Sequence, residues 1–148
     1  MSQSSGRTGD PGPSTVSAAK ILVAYDASEN GARALDLAVR LSRAAGASLA
    51  VLSVVPSETS RGAVWRDEER GRRDLRAARE MLRQRGYVAR FLLRAGALGP
   101  AIERAVLEGG YDTVVLGSGD PARPSETPPC TISDHVAAHT RATVIMAA

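Results

Sequence analysis

Cysteine, lysine and aromatic residues are all scarce in this chain. A single cysteine cannot form a disulfide within the chain, and this count favours a protein of a reducing cytosol. Lys20 is the only lysine among 19 basic residues. Because STVSAA precedes it, a nucleotide-binding loop of the GxxxxGK[ST] type is excluded. Five aromatic residues offer little surface for stacking on bases, so nucleic-acid binding is not expected despite the net charge of +3.

Long apolar runs are also absent. Runs such as ASLAVLSVVP at 47–56 are too short to cross a bilayer, and no charged-then-apolar leader opens the chain. We therefore expect a cytoplasmic protein without membrane contact. With 148 residues, 43% of them hydrophobic, the chain can bury one layered core without disulfides or metal.

The first residues differ in composition from the rest. MSQSSGRTGDPGPSTVSAA, at 1–19, is rich in Ser, Gly and Pro and has almost no apolar side chains. Burial cannot offset the entropy of ordering such a segment. We expect a disordered N-terminal tail at 1–19 and one domain at 20–148.

Strand and helix patterns alternate along the domain. Short β-branched and aliphatic runs predict strands at 20–25, 47–55, 88–94, 111–118 and 142–147. Ser28 can cap a first helix that Gly46 ends, and a charged helix runs to Gly86 with an expected kink or fraying near Gly71. A third helix is expected to open with Pro100 at its first position, and a fourth near Thr131.

This alternation predicts an α/β fold. Short connections favour a five-stranded parallel open sheet of order 3-2-1-4-5 with helices on both faces. In this order the first and fourth strands are neighbours at the point where the winding reverses, so Asp26 and Gly117 are expected to face one crevice. Such a crevice is the usual ligand site of an open parallel sheet.

Four segments in this order resemble the universal stress protein family across nearly all of residues 20–148. They are ILVAYDASENGARAL, LSVVP, GALGPAIERAVLEGGYDTVVLGSG and TISDHVAAHTRATVIMA. The resemblance implies a Rossmann-like fold of the adenine nucleotide alpha hydrolase type and a role in stress response. Many family members bind ATP or another adenine nucleotide.

The resemblance also implies the positions of a nucleotide site. Asp26 matches a carboxylate that lies near the ribose in the family, and Val54 matches a residue that lines the adenine slot. The remaining candidate binding residues follow the fourth strand or open the fourth helix: Gly117, Ser118, Thr131 and Ser133.

The loop after the fourth strand departs from the family pattern. Its glycine positions fall on Asp120, Arg123 and Cys130, although backbone N–H groups need glycine to approach phosphates closely. Four prolines in 121–129 also remove N–H donors. We expect a degenerate nucleotide site with no resident cofactor, at which ATP or AMP binds with low affinity.

Three function hypotheses follow. The first is a non-catalytic regulatory domain in stress response that contacts protein partners the sequence does not identify. The second is an adenine-nucleotide (ATP or AMP) binder or slow ATPase that uses Arg123 and the start of the fourth helix. The third is a flavin or electron-transfer protein of similar topology.

A homodimer through the edge strand at 142–147 is expected from the family and from the need to cover sheet edges.

Four further groups of residues have side chains that in other proteins bind metals, form ion pairs or catalyse reactions. His135 and His139 are spaced as a metal pair on a helix, but no third ligand is evident, so no metal site is predicted. Cys130 precedes a helix start, where a thiol can become reactive, but a gap-filling role is favoured. The arginines of 66–85 predict a salt-bridged helix face. Because neighbours on one helix diverge, Ser133, Asp134 and His135 cannot form a triad, and no catalytic residue is predicted.

Overall fold

The computed structural model describes residues 19–55, 61–117 and 129–147, without the side chains of 61–66 and 129–131. The predicted tail therefore lies outside the described residues except for Ala19. Strands and helices alternate through the described ranges. They are β1 (Lys20–Ala24), α1 (Glu29–Ala45), β2 (Ser48–Val55), α2 (Arg61–Gln84), β3 (Arg90–Ala95), α3 (Leu98–Gly109), β4 (Thr113–Gly117), α4 (Pro129–His139) and β5 (Thr143–Ala147).

The five strands form one parallel sheet in the order β3-β2-β1-β4-β5, which confirms the predicted topology. β1 is central and pairs with both β2 and β4. The chain leaves β1 towards β2 and β3 on one side and later returns to β4 and β5 on the other. The winding therefore reverses between β1 and β4, where their carboxyl ends open a crevice.

Alternate strand residues pack into two apolar layers, one on each face of the sheet. On one face Ile21, Val23 and Tyr25 pack with α1 and with Ala78 and Leu82 of α2. On the other face Leu22 and Leu52 pack with Ile102 of α3 and Val136 of α4. Because every central strand is covered on both faces, its run of aliphatic residues is continuous rather than alternating.

The ends of the helices follow their capping residues, with one correction. Ser28 Oγ accepts a hydrogen bond from the Gly31 N–H at 3.0 Å, and Gly46 ends α1 in the left-handed conformation, as predicted. The prediction for Pro100 was wrong by two positions. α3 begins at Leu98, and Pro100 is its third residue, where its missing N–H costs no intrahelical hydrogen bond.

α2 is continuous from Arg61 to Gln84, so the fraying predicted near Gly71 as one of two alternatives is absent. Gly71 is buried against the sheet: a Cβ atom there would lie 2.6 Å from Leu93 Cδ1 and 2.9 Å from Val55 Cγ1. The glycine therefore lets the helix approach β2 and β3 closely. On the other side of α2, ion pairs join residues three apart, such as Arg83 with Glu80 at 2.6 Å, as expected for a salt-bridged face.

Lys20 connects the start of β1 to the turn between α3 and β4. Its Nζ donates a hydrogen bond to the Gly109 carbonyl oxygen and lies 5.1 Å from the centre of the Tyr111 ring. Its backbone N–H donates to Asp112 Oδ2 at 2.9 Å, and its carbonyl oxygen accepts from the Asp112 N–H at 3.0 Å. These contacts fix the amino edge of the sheet, opposite the crevice.

Replacing Gly71 with alanine should destabilise the protein although alanine is the better helix former. The propensity gain of about 1 kcal/mol is smaller than the overpacking cost of about 1–3 kcal/mol expected when the new Cβ meets Leu93 and Val55. Denaturant unfolding of Gly71→Ala should give a lower free energy of unfolding. In a Leu93→Ala background the same change should cost less, because the clashing methyl group is gone. Equal costs in both backgrounds would contradict this account of the close packing.

Candidate functional site

A tight turn at the carboxyl end of β1 fixes the Asp26 carboxylate. Asp26 Oδ1 accepts hydrogen bonds from the Ser28 N–H at 3.0 Å and the Ser28 hydroxyl at 2.5 Å. Ala27, between them, has a φ of 63°, a left-handed conformation that non-glycine residues seldom adopt. The turn therefore holds Asp26 in one orientation, exposed at the sheet edge.

The first turn of α1 lies between the ends of β1 and β4. A Cβ atom at Gly31 would lie 2.6 Å from Asp26 Oδ1, and one at Gly117 would lie 2.6 Å from the Asn30 carbonyl oxygen. Asp26 and Gly117 thus contact adjacent residues of the same helix turn. The structure brings these two predicted site residues to one crevice, with the backbone of α1 between them.

Val54 lies at the same edge of the sheet. β1 pairs with β2 up to Ala24 opposite Leu52, and the Tyr25 N–H donates to the Leu52 carbonyl oxygen at 2.9 Å. Val54 is two residues beyond Leu52, as Asp26 is two residues beyond Ala24. The half-buried Val54 side chain packs against the apolar layer under α3 and α4, so an apolar surface is available beside the carboxylate.

The Asp26 end of the crevice is electrically negative. Burial raises the pKa of the Tyr25 hydroxyl, and the Asp74 and Asp26 carboxylates raise it further. Burial also raises the pKa of Asp74 on α2, with a contribution from Asp26 that Arg70 opposes. Two carboxylates, Asp26 and Asp74, thus lie close to the Tyr25 hydroxyl at this end of the crevice.

The other predicted site residues are less well placed. Ser133 is half-buried in α4, and no described contact joins it to Asp26 or Gly117. Ser118 lies outside the described residues, as does the side chain of Thr131. The backbone of α4 begins at Pro129, two residues before the predicted start at Thr131. The loop positions 120 and 123 also lie outside the described residues.

Sequence reasoning missed one group of side chains, between α3 and α4. His135 and His139 were predicted to share a helix face without a third ligand, but Glu103 of α3 supplies a carboxylate oxygen 2.7 Å from His135 Nε2. Glu103 lies 32 residues before His135, and no local spacing signals the contact. The glycine at 99, one helical turn before Glu103, is the only hint, because it allows α4 to approach α3.

None of the described helices combines the length and apolarity that a bilayer crossing requires.

An open parallel sheet of five strands, with the winding reversed between the first and the fourth strand, defines a Rossmann-like α/β fold. A comparison of the sequence with protein-family models identifies the family within this fold class. Residues 18–147 match the model of the Universal stress protein family, and the chain belongs to this family. The predicted resemblance is therefore confirmed over the whole domain. No curated protein matches the chain.

Solved structures of similar fold agree with this assignment. A universal stress family protein from Burkholderia pseudomallei is 28% identical, with 86% of this chain and 94% of that chain covered and a TM-score of 0.69. A universal stress protein from Archaeoglobus fulgidus in complex with dAMP is 16% identical, with coverages of 88% and 98% and a TM-score of 0.66. A universal stress protein in complex with cAMP is 18% identical, with coverages of 86% and 95% and a TM-score of 0.64.

Replacing Ala27 with glycine should stabilise the protein. The left-handed conformation costs alanine about 1–2 kcal/mol, whereas the extra unfolded-state entropy of glycine costs about 0.5–1 kcal/mol. The free energy of unfolding of Ala27→Gly should therefore rise by about 0.5–1 kcal/mol. The matched control is Ala44→Gly, at an exposed position inside α1, which should lose about 1 kcal/mol. A loss of stability in both variants would show that Ala27 is not strained.

Proposed function

We propose that this chain is a non-catalytic regulatory member of its family, cytoplasmic and active in stress response through contacts with other proteins. We further propose that its crevice retains an adenosine subsite and has lost its phosphate subsite. One observation carries the proposal: Asp26 is held in place at the crevice, while the loop that follows β4 has no glycine at positions 120, 123 and 130.

The adenosine end is supported by the described contacts. Asp26 accepts two hydrogen bonds through one oxygen, Oδ1, and its carboxylate is exposed at the crevice. Ribose hydroxyl groups are donors, so a carboxylate suits them. Val54 lies on β2, two residues beyond the last residue that pairs with β1, and offers an apolar surface. The relatives solved with dAMP and cAMP hold ligands that share the adenine base.

The phosphate end is argued from the sequence of the loop. Phosphate oxygens need many N–H donors, and glycine lets the backbone reach them. Prolines at 121, 124, 128 and 129 have no N–H, and Asp120 and Glu126 add negative charge. Gly117, Arg123 and the N-terminal end of α4 at Pro129 act in the opposite direction. On balance, the loop adds little to the binding free energy of a nucleotide's phosphate groups.

The second candidate function is an adenine-nucleotide binder or slow ATPase that uses the same crevice. The position of α4 favours it, because the helix begins after β4 and directs its positive end towards the carboxyl edge of the sheet. Arg123 would then supply the charge that the glycine loop lacks. The two functions differ in how they rank nucleotides.

Titration calorimetry with adenosine, AMP and ATP should separate the two. We expect a dissociation constant for ATP of about 100 μM or weaker, because phosphates that lose water without gaining donors add nothing to affinity. Adenosine and AMP should bind as well as ATP does. Asp26→Ala should abolish this binding, whereas Asp74→Asn, the matched change on α2, should leave it measurable. Tight, magnesium-dependent binding of ATP would overturn the proposal in favour of the second candidate.

Restoring the loop tests the cause of the weak binding. A variant with Asp120→Gly, Arg123→Gly and Cys130→Gly, and with Pro124, Pro128 and Pro129 replaced by alanine, should bind ATP more tightly than the unaltered chain does. The control carries only the three proline changes, which return N–H groups without the glycines. An unchanged ATP affinity in the restored variant, with its melting temperature preserved, would show that the loop is not the defect.

We also propose that the protein is a homodimer through β5. β5 pairs with β4 on one side and ends the strand order, and an edge strand with apolar side chains is normally paired or covered. Met146 on this strand is 37% exposed. Val144 packs into the apolar layer under α3 and α4, so a charge at Val144 would disturb folding as well as an interface.

Light scattering at micromolar concentration should give the mass of a dimer. Met146→Glu should shift the mass towards the monomer, because a charge buried in an apolar interface is not compensated. Leu107→Glu is the matched control: Leu107 is 62% exposed on α3, and the dimer should persist. A monomer mass for the unaltered protein would reject the proposal.

A further inference from the structure

The two histidines of α4 stack on one another. His135 and His139 are one helical turn apart, with their ring centres 4.2 Å apart and the rings inclined at 24°. They are the only histidines in the chain. Both rings therefore present nitrogen atoms to the same small volume at the surface between α3 and α4.

Glu103 brings a carboxylate to this volume from α3. Its Oε1 lies 2.7 Å from His135 Nε2, and the two side chains are 27% and 30% exposed. Gly99, one turn earlier in α3, makes the approach close, since a Cβ atom there would lie 3.3 Å from the His135 ring. The contact is thus fixed by helix packing rather than by two mobile surface side chains.

A backbone contact fixes the tautomer of His139. His139 Nδ1 lies 2.7 Å from the His135 carbonyl oxygen. Because a carbonyl oxygen only accepts, Nδ1 carries the proton and donates it. In the neutral ring with this tautomer, Nε2 of His139 carries the lone pair. Metal-ligating histidines typically donate their second ring N–H to a backbone carbonyl or a carboxylate in this way.

We propose that Glu103, His135 and His139 bind a divalent transition-metal ion such as Zn²⁺. The three ligand atoms, one from each side chain, lie within 4.8 Å of one another. Zinc bonds to nitrogen and oxygen are about 2.0–2.2 Å long, so the two imidazole rings have to rotate out of their stacked arrangement to close the three atoms around one ion. The ion takes the place of the Glu103–His135 hydrogen bond: the proton of the neutral His135 ring is then carried on Nδ1 instead of Nε2, so the ring stays neutral and Nε2 offers its lone pair to the ion.

The donor set determines the class of metal. Two imidazoles and one carboxylate suit Zn²⁺, Cu²⁺ or Ni²⁺, whereas Mg²⁺ and Ca²⁺ prefer oxygen ligands alone. Three protein ligands leave a fourth tetrahedral position for water. His139 is exposed at the surface, so the ion reaches the site from solvent.

Titration of the chelator-treated full chain with ZnCl₂ tests the proposal. Calorimetry should give one equivalent bound with a micromolar dissociation constant. His135→Ala and His139→Ala should each weaken binding by about 100-fold or more, since loss of even an outer partner of a metal ligand costs about 10–100-fold. Glu103→Gln keeps the shape but removes the charge and should also weaken it. Circular dichroism melts verify that each variant folds.

Two controls separate this site from other zinc ligands. Glu108→Gln changes another glutamate of α3, which contacts Arg94 at 3.9 Å, and should bind Zn²⁺ as the unaltered chain does. Cys130→Ser removes the only thiol of the chain and should also leave binding unchanged. Loss of binding in Cys130→Ser, or unchanged binding in both histidine variants, would overturn the proposal.

Nitrogen NMR of the unaltered protein gives a readout independent of any variant. With two histidines in the chain, each imidazole nitrogen can be assigned separately. The structure requires His139 to be protonated at Nδ1 before metal is added, and both Nε2 resonances should move as Zn²⁺ binds. Zinc binding that leaves the imidazole resonances in place would overturn the proposal even if the variants failed to fold.

Discussion

The close approach of the first turn of α1 to the carboxyl ends of β1 and β4 is the constraint on which the crevice depends. Gly31 and Gly117 make it sterically feasible, because any side chain at either position would meet Asp26 or the Asn30 carbonyl oxygen within 2.6 Å. In the segment that joins β1 to α1, Ala27 has a left-handed backbone, with a φ of 63°. The orientation of Asp26 is a consequence of its hydrogen bonds to Ser28 and of helix packing, and the crevice is bounded by the same contacts.

The crevice is chemically asymmetric. At the β1 end a fixed carboxylate lies with Asp74 nearby. The sequence that follows β4 is rich in proline and has no glycine at positions 120, 123 and 130. The function proposed above rests on this contrast, which favours the neutral part of a nucleoside over its phosphates.

Most of the fold could be predicted from sequence, because strand order in such sheets follows from alternating strands and helices and from right-handed crossovers. Asp26 and Gly117 were placed correctly for the same reason. Local rules failed where tertiary packing decides: Gly71 interrupts nothing because it faces β2 and β3, and Pro100 lies two positions further into its helix than expected. Ala27 gives no sign of its positive φ, since alanine rarely adopts it. Glu103 could not be paired with His135, because that contact depends on how two helices cross.

Arginine supplies all but one of the 19 lysine and arginine residues of the chain. The exception, Lys20, lies at the amino edge of the sheet. The chain's one lysine is not a solvated surface group: its ammonium contacts the end of α3 and the Tyr111 ring, and its backbone pairs with Asp112. An acylating reagent that modifies side-chain amines has this single ε-amine as its target. Chemical labelling of lysine in this protein would therefore report on the integrity of the junction between β1, α3 and β4, and not on the general accessibility of the surface.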